Sequence, residues 1–129
     1  MSLRISNSEL EVLNVLWGSD TPLHRGGILE HSKDKTWKDS YIHILLNKML
    51  EKGLIKEAGF TRSGKVWARL YAPAISQEEY YADALLAGGF DPATMVKLIL
   101  KKSDSGKETL DALQNVIDQA RTEEEKKDV

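Results

Sequence analysis

A chain of 129 residues is long enough for one domain, or for one small domain with an appended segment. Apolar residues make up 41% of the chain, which is enough for a packed core and argues against general disorder. The chain has no cysteine, which excludes disulfides, thiolate metal sites and cysteine nucleophiles and is compatible with a reducing cytoplasm. No apolar run reaches the length of a signal peptide or of a membrane span, so we expect a cytoplasmic protein without membrane insertion.

The net charge of −2 is unevenly distributed. Residues 1–74 hold 11 Lys and Arg against 8 Asp and Glu, a charge of +3, whereas residues 75–129 hold 7 against 12, a charge of −5. The first part is therefore mildly suited to a polyanion such as DNA and the second is not.

Two helices are predicted at the start of the chain. In "ISNSELEVLNVLW", Ser6 and Glu9 form a capping box, an apolar stripe follows at helical spacing, and Gly18 ends the helix. In "TPLHRGGILEHS", Thr21 is the expected N-cap and Pro22 the first helical residue, although two adjacent glycines weaken the pattern.

A third helix and a hairpin complete the first domain. The helix is predicted from about Lys38 to Lys52, with Ile42, Leu45, Leu46, Met49 and Leu50 as its buried stripe and Gly53 as its end. "LIKEA" and "VWARLYA" are predicted strands, and "GFTRSGK" is the expected hairpin tip. Three helices followed by two strands predict a mainly α fold with a small β-hairpin wing, a winged helix-turn-helix domain at residues 5–74.

Three further helices are predicted after Pro73. Ser76 with Glu79, and Asp91 with Pro92, mark the starts of the first two, and Gly88-Gly89 ends the first. About 55 residues with apolar faces are too few for an independent core, so we expect burial against a second copy. We therefore predict a helical dimerisation region at residues 75–122 and a flexible tail at 123–129. The dimerisation residues are predicted to be Tyr80, Leu85, Leu86, Phe90, Met95, Leu98, Ile99, Leu110, Leu113, Val116 and Ile117.

Several of these segments resemble the penicillinase-repressor family of winged-helix transcriptional regulators. The resemblance rests on "ISNSELEVLNVLW", "LLNKMLEKGLIK", "SGKVWARLYAPAISQEEYYAD" and "LAGGF" and extends from about Ile5 to Ala120. It implies a homodimeric repressor that binds a double-stranded DNA operator with dyad symmetry. Some relatives are cleaved at an Asn-Phe bond in response to a β-lactam and others sense copper through cysteines. This chain has no Asn-Phe bond and no cysteine, so the resemblance does not identify an upstream sensor or protease.

The predicted DNA-binding residues lie on three segments. Cations and hydroxyls at the wing and at the start of the second helix suit phosphates, whereas the exposed side of the third helix suits base edges. The residues are Thr21, His24, Arg25, Lys38, Ser40, Tyr41, His43, Ile44, Asn47, Lys48, Thr61, Arg62, Ser63 and Lys65.

No enzyme, metal site or cofactor is predicted. The carboxylates and serines show no nucleophile–base pattern, and the three histidines lack further ligands at a useful spacing. The alternative to a repressor is a winged-helix protein–protein interaction module, in which Tyr41, His43, Ile44 and Trp67 form a partner surface. A repressor that senses a small molecule is a third hypothesis, for which the sequence shows no pocket.

Overall fold

A computed structural model describes residues 4–104 and 106–127 of the chain. In chain order, its elements are α1 (Asn7–Trp17), β1 (Leu23–His24), α2 (Arg25–Glu30), a 3₁₀ turn (Asp39–Tyr41), α3 (Ile42–Glu51), β2 (Ile55–Ser63), β3 (Val66–Pro73), α4 (Gln77–Ala87), α5 (Pro92–Lys102) and α6 (Lys107–Lys127). The chain divides into two compact units, the first ending at Gly88 and the second beginning at Gly89.

The predicted winged-helix architecture is confirmed. Helices α1, α2 and α3 pack around one core with the first residues of β2, and the three strands form an antiparallel sheet in the order β1-β3-β2. The buried apolar side chains are Val12, Leu13, Leu16, Ile28, Trp37, Ile42, Leu45, Leu46, Met49, Leu54 and Ile55. This core holds α3 by the predicted stripe and leaves its opposite side at the surface.

Local signals account for the ends of most helices. Ser6 and Glu9 form both hydrogen bonds of the predicted capping box on α1. Gly53 adopts a φ of +73° after α3, and the N–H of Leu54 reaches the carbonyl of Met49 at 2.9 Å, as in a Schellman motif. Ser76 caps α4, and Asp91 with Pro92 begins α5.

The prediction for the second helix is wrong at its start. Thr21 is not an N-cap, because α2 begins at Arg25 and His24 precedes it without a side-chain cap. Leu23 and His24 instead pair with Tyr71 and Leu70 of β3, so their backbone groups are used in the sheet. The cap pattern in the sequence is local and carries no information about this distant strand.

The hairpin tip is shorter than predicted. Residues 59–63 belong to β2, which continues past an irregularity between Glu57 and Phe60. Ser63 pairs with Val66, so the turn consists of Gly64 and Lys65 alone. Gly64 has a φ of +65°, at the first position of a two-residue loop, where type II′ turns place glycine. The wing is therefore a long hairpin with a tight two-residue turn.

Two features of the C-terminal segments add to the predicted organisation. The boundary between the compact units lies after α4, whose first residues contact α1, and the predicted extent of the winged-helix domain, residues 5–74, stays a prediction. The helix α6 is 21 residues long and includes residues 123–127 of the predicted tail, whereas residues 128–129 lie outside the described residues. The assignment of residues 75–122 to dimerisation stays a prediction.

Candidate nucleic-acid interface

The exposed side of α3 presents a mixed polar and apolar surface. His43, Ile44, Asn47 and Lys48 are all exposed, and Ile44 keeps 52% of its surface accessible. Because Ile42, Leu45, Leu46 and Met49 anchor the other side in the core, these side chains are presented on a rigid element. The surface can therefore offer hydrogen-bond donors, acceptors and one aliphatic contact together.

Two contacts order the cationic side chains near this surface. The Arg25 guanidinium contacts the imidazole nitrogens of His43 and joins the start of α2 to α3. Further along α3, Lys48 Nζ donates to the hydroxyl of Tyr41 at 3.2 Å and lies 5.8 Å from its ring centroid. Both contacts reduce the conformational entropy that Arg25 and Lys48 would lose on binding a ligand, because these long side chains are already oriented.

A groove of about 440 Å³ lies between α2, α3 and the wing. Among the described residues that line it, none is acidic, and eight carry hydrogen-bonding or cationic groups: His24, Arg25, His43, Asn47, Ser63, Trp67, Arg69 and Tyr71. Five of these eight, His24, Arg25, His43, Asn47 and Ser63, were predicted from the sequence as DNA-binding residues. The local charge thus favours an anion, although the chain as a whole carries −2.

The wing adds cations at its outer part. Arg62, Ser63 and Lys65 are exposed around the turn, and the Arg62 guanidinium lies 5.4 Å from the ring centroid of Trp67. Arg69 forms an ion pair with Glu57 at 2.8 Å. From Ala58 to Pro73 the sequence holds three cations and no acidic residue, which suits contact with phosphates.

These features match a known group of proteins. The family model described as penicillinase repressor matches residues 5–119.

The chain belongs to the penicillinase repressor family.

A curated relative supports this assignment. The chain is similar to the penicillinase repressor of Bacillus licheniformis, with 31% identity over 77 residues, which cover 60% of this chain. The matched part spans 56% of that relative's length. The penicillinase repressor family consists of transcriptional regulators and not of enzymes, which confirms the family and the non-enzymatic class predicted from the sequence.

The structure distributes the predicted DNA-binding residues unevenly. Most of these residues lie in the groove, on the exposed side of α3 or on the wing. Lys38 and Ser40 lie at the 3₁₀ turn before α3, and both are exposed. Thr21 lies in an exposed turn, where its N–H and carbonyl bond to the hydroxyl of Ser19. Contact of any of these residues with DNA stays a prediction.

Eight of the described groove-lining residues were not among the predicted DNA-binding residues, and five of these lie on β3. Val66 and Arg69 line the groove from the part of β3 that β1 does not border, since β1 pairs only with Leu70 and Tyr71. The cation Arg69 among the β-formers of "VWARLYA" was the available signal, but it does not say which side of the strand faces α3.

The structure also locates the histidines and the remaining polar clusters. His31 Nδ1 lies 2.8 Å from the carbonyl of Gly27, within its own helix region. Within residues 4–104 and 106–127, no group of three or more His, Asp or Glu side chains is arranged to hold a metal ion. In the same part of the chain, no helix is long and apolar enough to cross a membrane.

The predicted dimerisation residues lie on α4, α5, α6 and the short links between them. Leu86, Phe90, Leu98, Ile99, Leu110, Val116 and Ile117 are all exposed, and so are Tyr81 and Val96, which the prediction omitted. Tyr80 differs, because its ring packs against Trp17 of the same chain at a centroid distance of 5.9 Å. Contacts of these residues with a second copy stay a prediction.

Proposed function

We propose that this protein is a homodimeric transcriptional repressor of the cytoplasm that binds a dyad-symmetric DNA operator. Each copy would place α3 in a major groove, with the wing and the start of α2 on the flanking phosphates. The observation that carries the proposal is the groove between α2, α3 and the wing, which is lined by cationic and polar side chains and joins the exposed side of α3. Family membership supports the same conclusion. Repression would follow from occupation of promoter DNA.

The side chains on α3 support contact with bases of more than one kind. Asn47 can pair with the N6 and N7 groups of an adenine, and Ile44 can contact a thymine methyl group. Neutral His43 offers one donor and one acceptor. Arg25 and Lys48 can reach phosphates, since Arg25 is held near α3 by His43 and Lys48 is oriented by its hydrogen bond to Tyr41.

The exposed apolar positions support the homodimer. Nine large apolar side chains between Tyr81 and Ile117 are more than 40% exposed, which is costly for a monomer in water. A second copy of the same segment would cover them through a self-complementary interface. Dyad symmetry of the protein would then match dyad symmetry of the operator.

The proposal is tested by binding of the purified protein to labelled DNA from upstream of its own gene. We expect specific binding that survives unrelated competitor DNA and weakens with salt, with a log–log slope of about −0.9 for each phosphate contacted. Asn47→Ala should weaken specific binding by about 5- to 150-fold, because a bidentate contact to adenine discriminates by roughly 1–3 kcal/mol. Asn14→Ala, at an exposed position of α1, is the matched control and should bind like the wild type.

Exposed Ile44 and Trp67 favour one alternative, a surface for a protein partner. An apolar protein contact would respond far less to salt than a phosphate contact does. Absence of any preference over competitor DNA at low salt, for this fragment and for duplexes selected from a random library, would reject the repressor and favour the protein-interaction module.

A further inference from the structure

The start of α4 is attached to the winged-helix core by a small set of contacts. The indole N–H of Trp17, the last residue of α1, donates to the carbonyl of Ile75 at 3.0 Å. The Trp17 ring lies against Tyr80 of the first turn of α4, with centroids 5.9 Å apart and planes tilted by 46°. Ala74 adds a backbone hydrogen bond to the carbonyl of Leu54 at 2.9 Å.

Beyond these contacts, α4 has no buried side chain that anchors it. None of its eleven residues, all of which the structure describes, is buried. Its direction relative to α1 and α3 therefore depends on the contacts at its first turn. Trp17 and Ile75 both pack against the core that anchors α3. These contacts therefore couple the direction of α4 to the position of α3.

We propose that Trp17 and Tyr80 are positioning residues that fix the direction of α4 relative to α3 and thereby set the spacing between the two half-sites of the operator. The inference rests on the proposed function, since it requires a dimer that binds a paired site. It gives Tyr80 a role within its own chain in place of the role at the dimer contact that the sequence suggested.

The dimensions of α4 make this effect large enough to matter. Eleven residues correspond to a helix about 16 Å long, so a tilt of about 12° at its first turn moves its far end by about 3 Å. One base-pair step is about 3.4 Å along the DNA axis and about 34° around it. A tilt of this size, once the contacts at Trp17 are lost, would change the separation of the two α3 helices by about one base pair.

The test measures spacing preference separately from affinity for a half-site. Half-sites are first obtained by selecting duplexes from a random library with the wild-type protein. Binding is then measured to duplexes in which the two half-sites are separated by spacers that differ by single base pairs, and to a duplex with one half-site. The two test variants are Trp17→Phe, which removes the indole donor, and Tyr80→Ala, which removes the ring.

Two substitutions serve as controls. Tyr80→Phe keeps the ring that faces Trp17. Trp37→Phe removes an indole N–H that is buried and has no hydrogen-bond partner among the described residues, so it matches the truncation at Trp17 without altering the start of α4. Both should keep the spacer preference of the wild type, even where Trp37→Phe lowers stability.

We expect the wild type to bind its optimal spacer about tenfold more tightly than spacers one base pair longer or shorter, as for a mismatched base pair. In Trp17→Phe and Tyr80→Ala this preference should fall to about threefold or less, or its optimum should move by one base pair, with half-site affinity changed less than about twofold. An unchanged optimum and discrimination in both variants would overturn the inference. Failure of the wild type to select any paired sequence would instead reject the proposed function.

Discussion

At the scale of single residues, the ion pair of Glu9 and Lys52 joins the first turn of α1 to the C-terminal end of α3. The Glu9 side chain is 3% exposed, and its Oε1 accepts hydrogen bonds from Lys52 Nζ at 2.7 Å and from the backbone N–H of Ser6 at 2.8 Å. Burial opposes ionisation of this carboxyl group, but the bonds from Lys52 and Ser6 outweigh it and hold the pKa of Glu9 below its ordinary value of 4.5. The pair therefore ties α1 to the end of α3.

The first prediction concerns the pH dependence of stability. Because the pKa of Glu9 is lower in the folded state, its ionised form contributes stability above the unfolded pKa, and this contribution is lost as the pH falls through the folded pKa. Lys52→Met leaves a buried carboxylate without its cation, so the free energy of unfolding should fall by about 1–3 kcal/mol at pH 7. Urea unfolding at pH 7, 5 and 3.5 should show this difference shrinking towards acid.

Lys56→Met is the matched control, since Lys56 is exposed on β2 and the structure shows no ion pair for it among the described residues. Its unfolding free energy should stay close to that of the wild type at every pH. A loss in Lys52→Met that is equally large at pH 3.5 and pH 7 would mean that lost packing of the lysine stem, and not the charge on Glu9, causes the effect.

At the scale of elements, the wing is a two-stranded hairpin that is paired up to its tip. Its turn needs only Gly64 and Lys65, so the strands carry Arg62 and Trp67 as a directly paired couple close to the tip. Stacking on Trp67 restricts the Arg62 guanidinium, which lowers the entropy that a phosphate contact would cost. The wing is thus suited to hold DNA in a defined orientation.

The wing should contribute to affinity without contributing to sequence preference. Arg62→Ala and Lys65→Ala should each weaken binding to all duplexes alike and reduce the magnitude of the log–log salt slope by about 0.9, because each removes one phosphate contact. Affinity titrations at several salt concentrations measure the slope. Lys101→Ala, an exposed lysine of α5, is the control and should leave the slope unchanged. Slopes that stay at the wild-type value in both wing variants would exclude these residues from the interface.

At the scale of the whole molecule, the two parts of the chain have different surfaces. Residues 1–74 carry +3 and bury an extensive core, whereas residues 75–129 carry −5 and contain no buried side chain among those described. Because repulsion would keep the acidic part away from DNA, the two parts are suited to separate partners. This division supports a winged helix for the operator and a helical part for the second copy.

The dimer is tested by placing a charge on an exposed apolar position of α6. Val116→Asp would bury an unpaired carboxylate in the proposed interface and should raise the dimer dissociation constant by at least about 30-fold, equivalent to roughly 2 kcal/mol. Asn115→Asp introduces the same charge one residue earlier, at an exposed polar position, and should leave dimerisation nearly unchanged. Sedimentation equilibrium measures both. Monomer mass for the wild type at every concentration would contradict the proposed homodimer.

Much of the fold and part of the candidate site could be predicted from the sequence. The ends of α1, α3, α4 and α5 depend on caps and glycines that act within a few residues, so their patterns are visible in the chain itself. Five predicted residues line the observed groove. The amphipathic pattern of α3 indicated His43 and Asn47, whereas His24, Arg25 and Ser63 were indicated by the start of the second helix and by the hairpin tip. The start of α2 could not be found in this way, since Leu23 and His24 pair with a distant strand.

Short-range interactions along the chain therefore specified most of the helix ends, the hairpin and the exposed surface of α3, since caps, turns and apolar periodicity are local. The tertiary structure alone decided which distant groups meet. It brings Lys52 to Glu9, closes the groove with Arg69, and places Tyr80 on Trp17. A side chain such as Tyr80 fits an apolar stripe equally well whether it faces its own chain or a second copy. Only the path of the backbone through β3 and into α4, which depends on the packing of the core, chooses between the two.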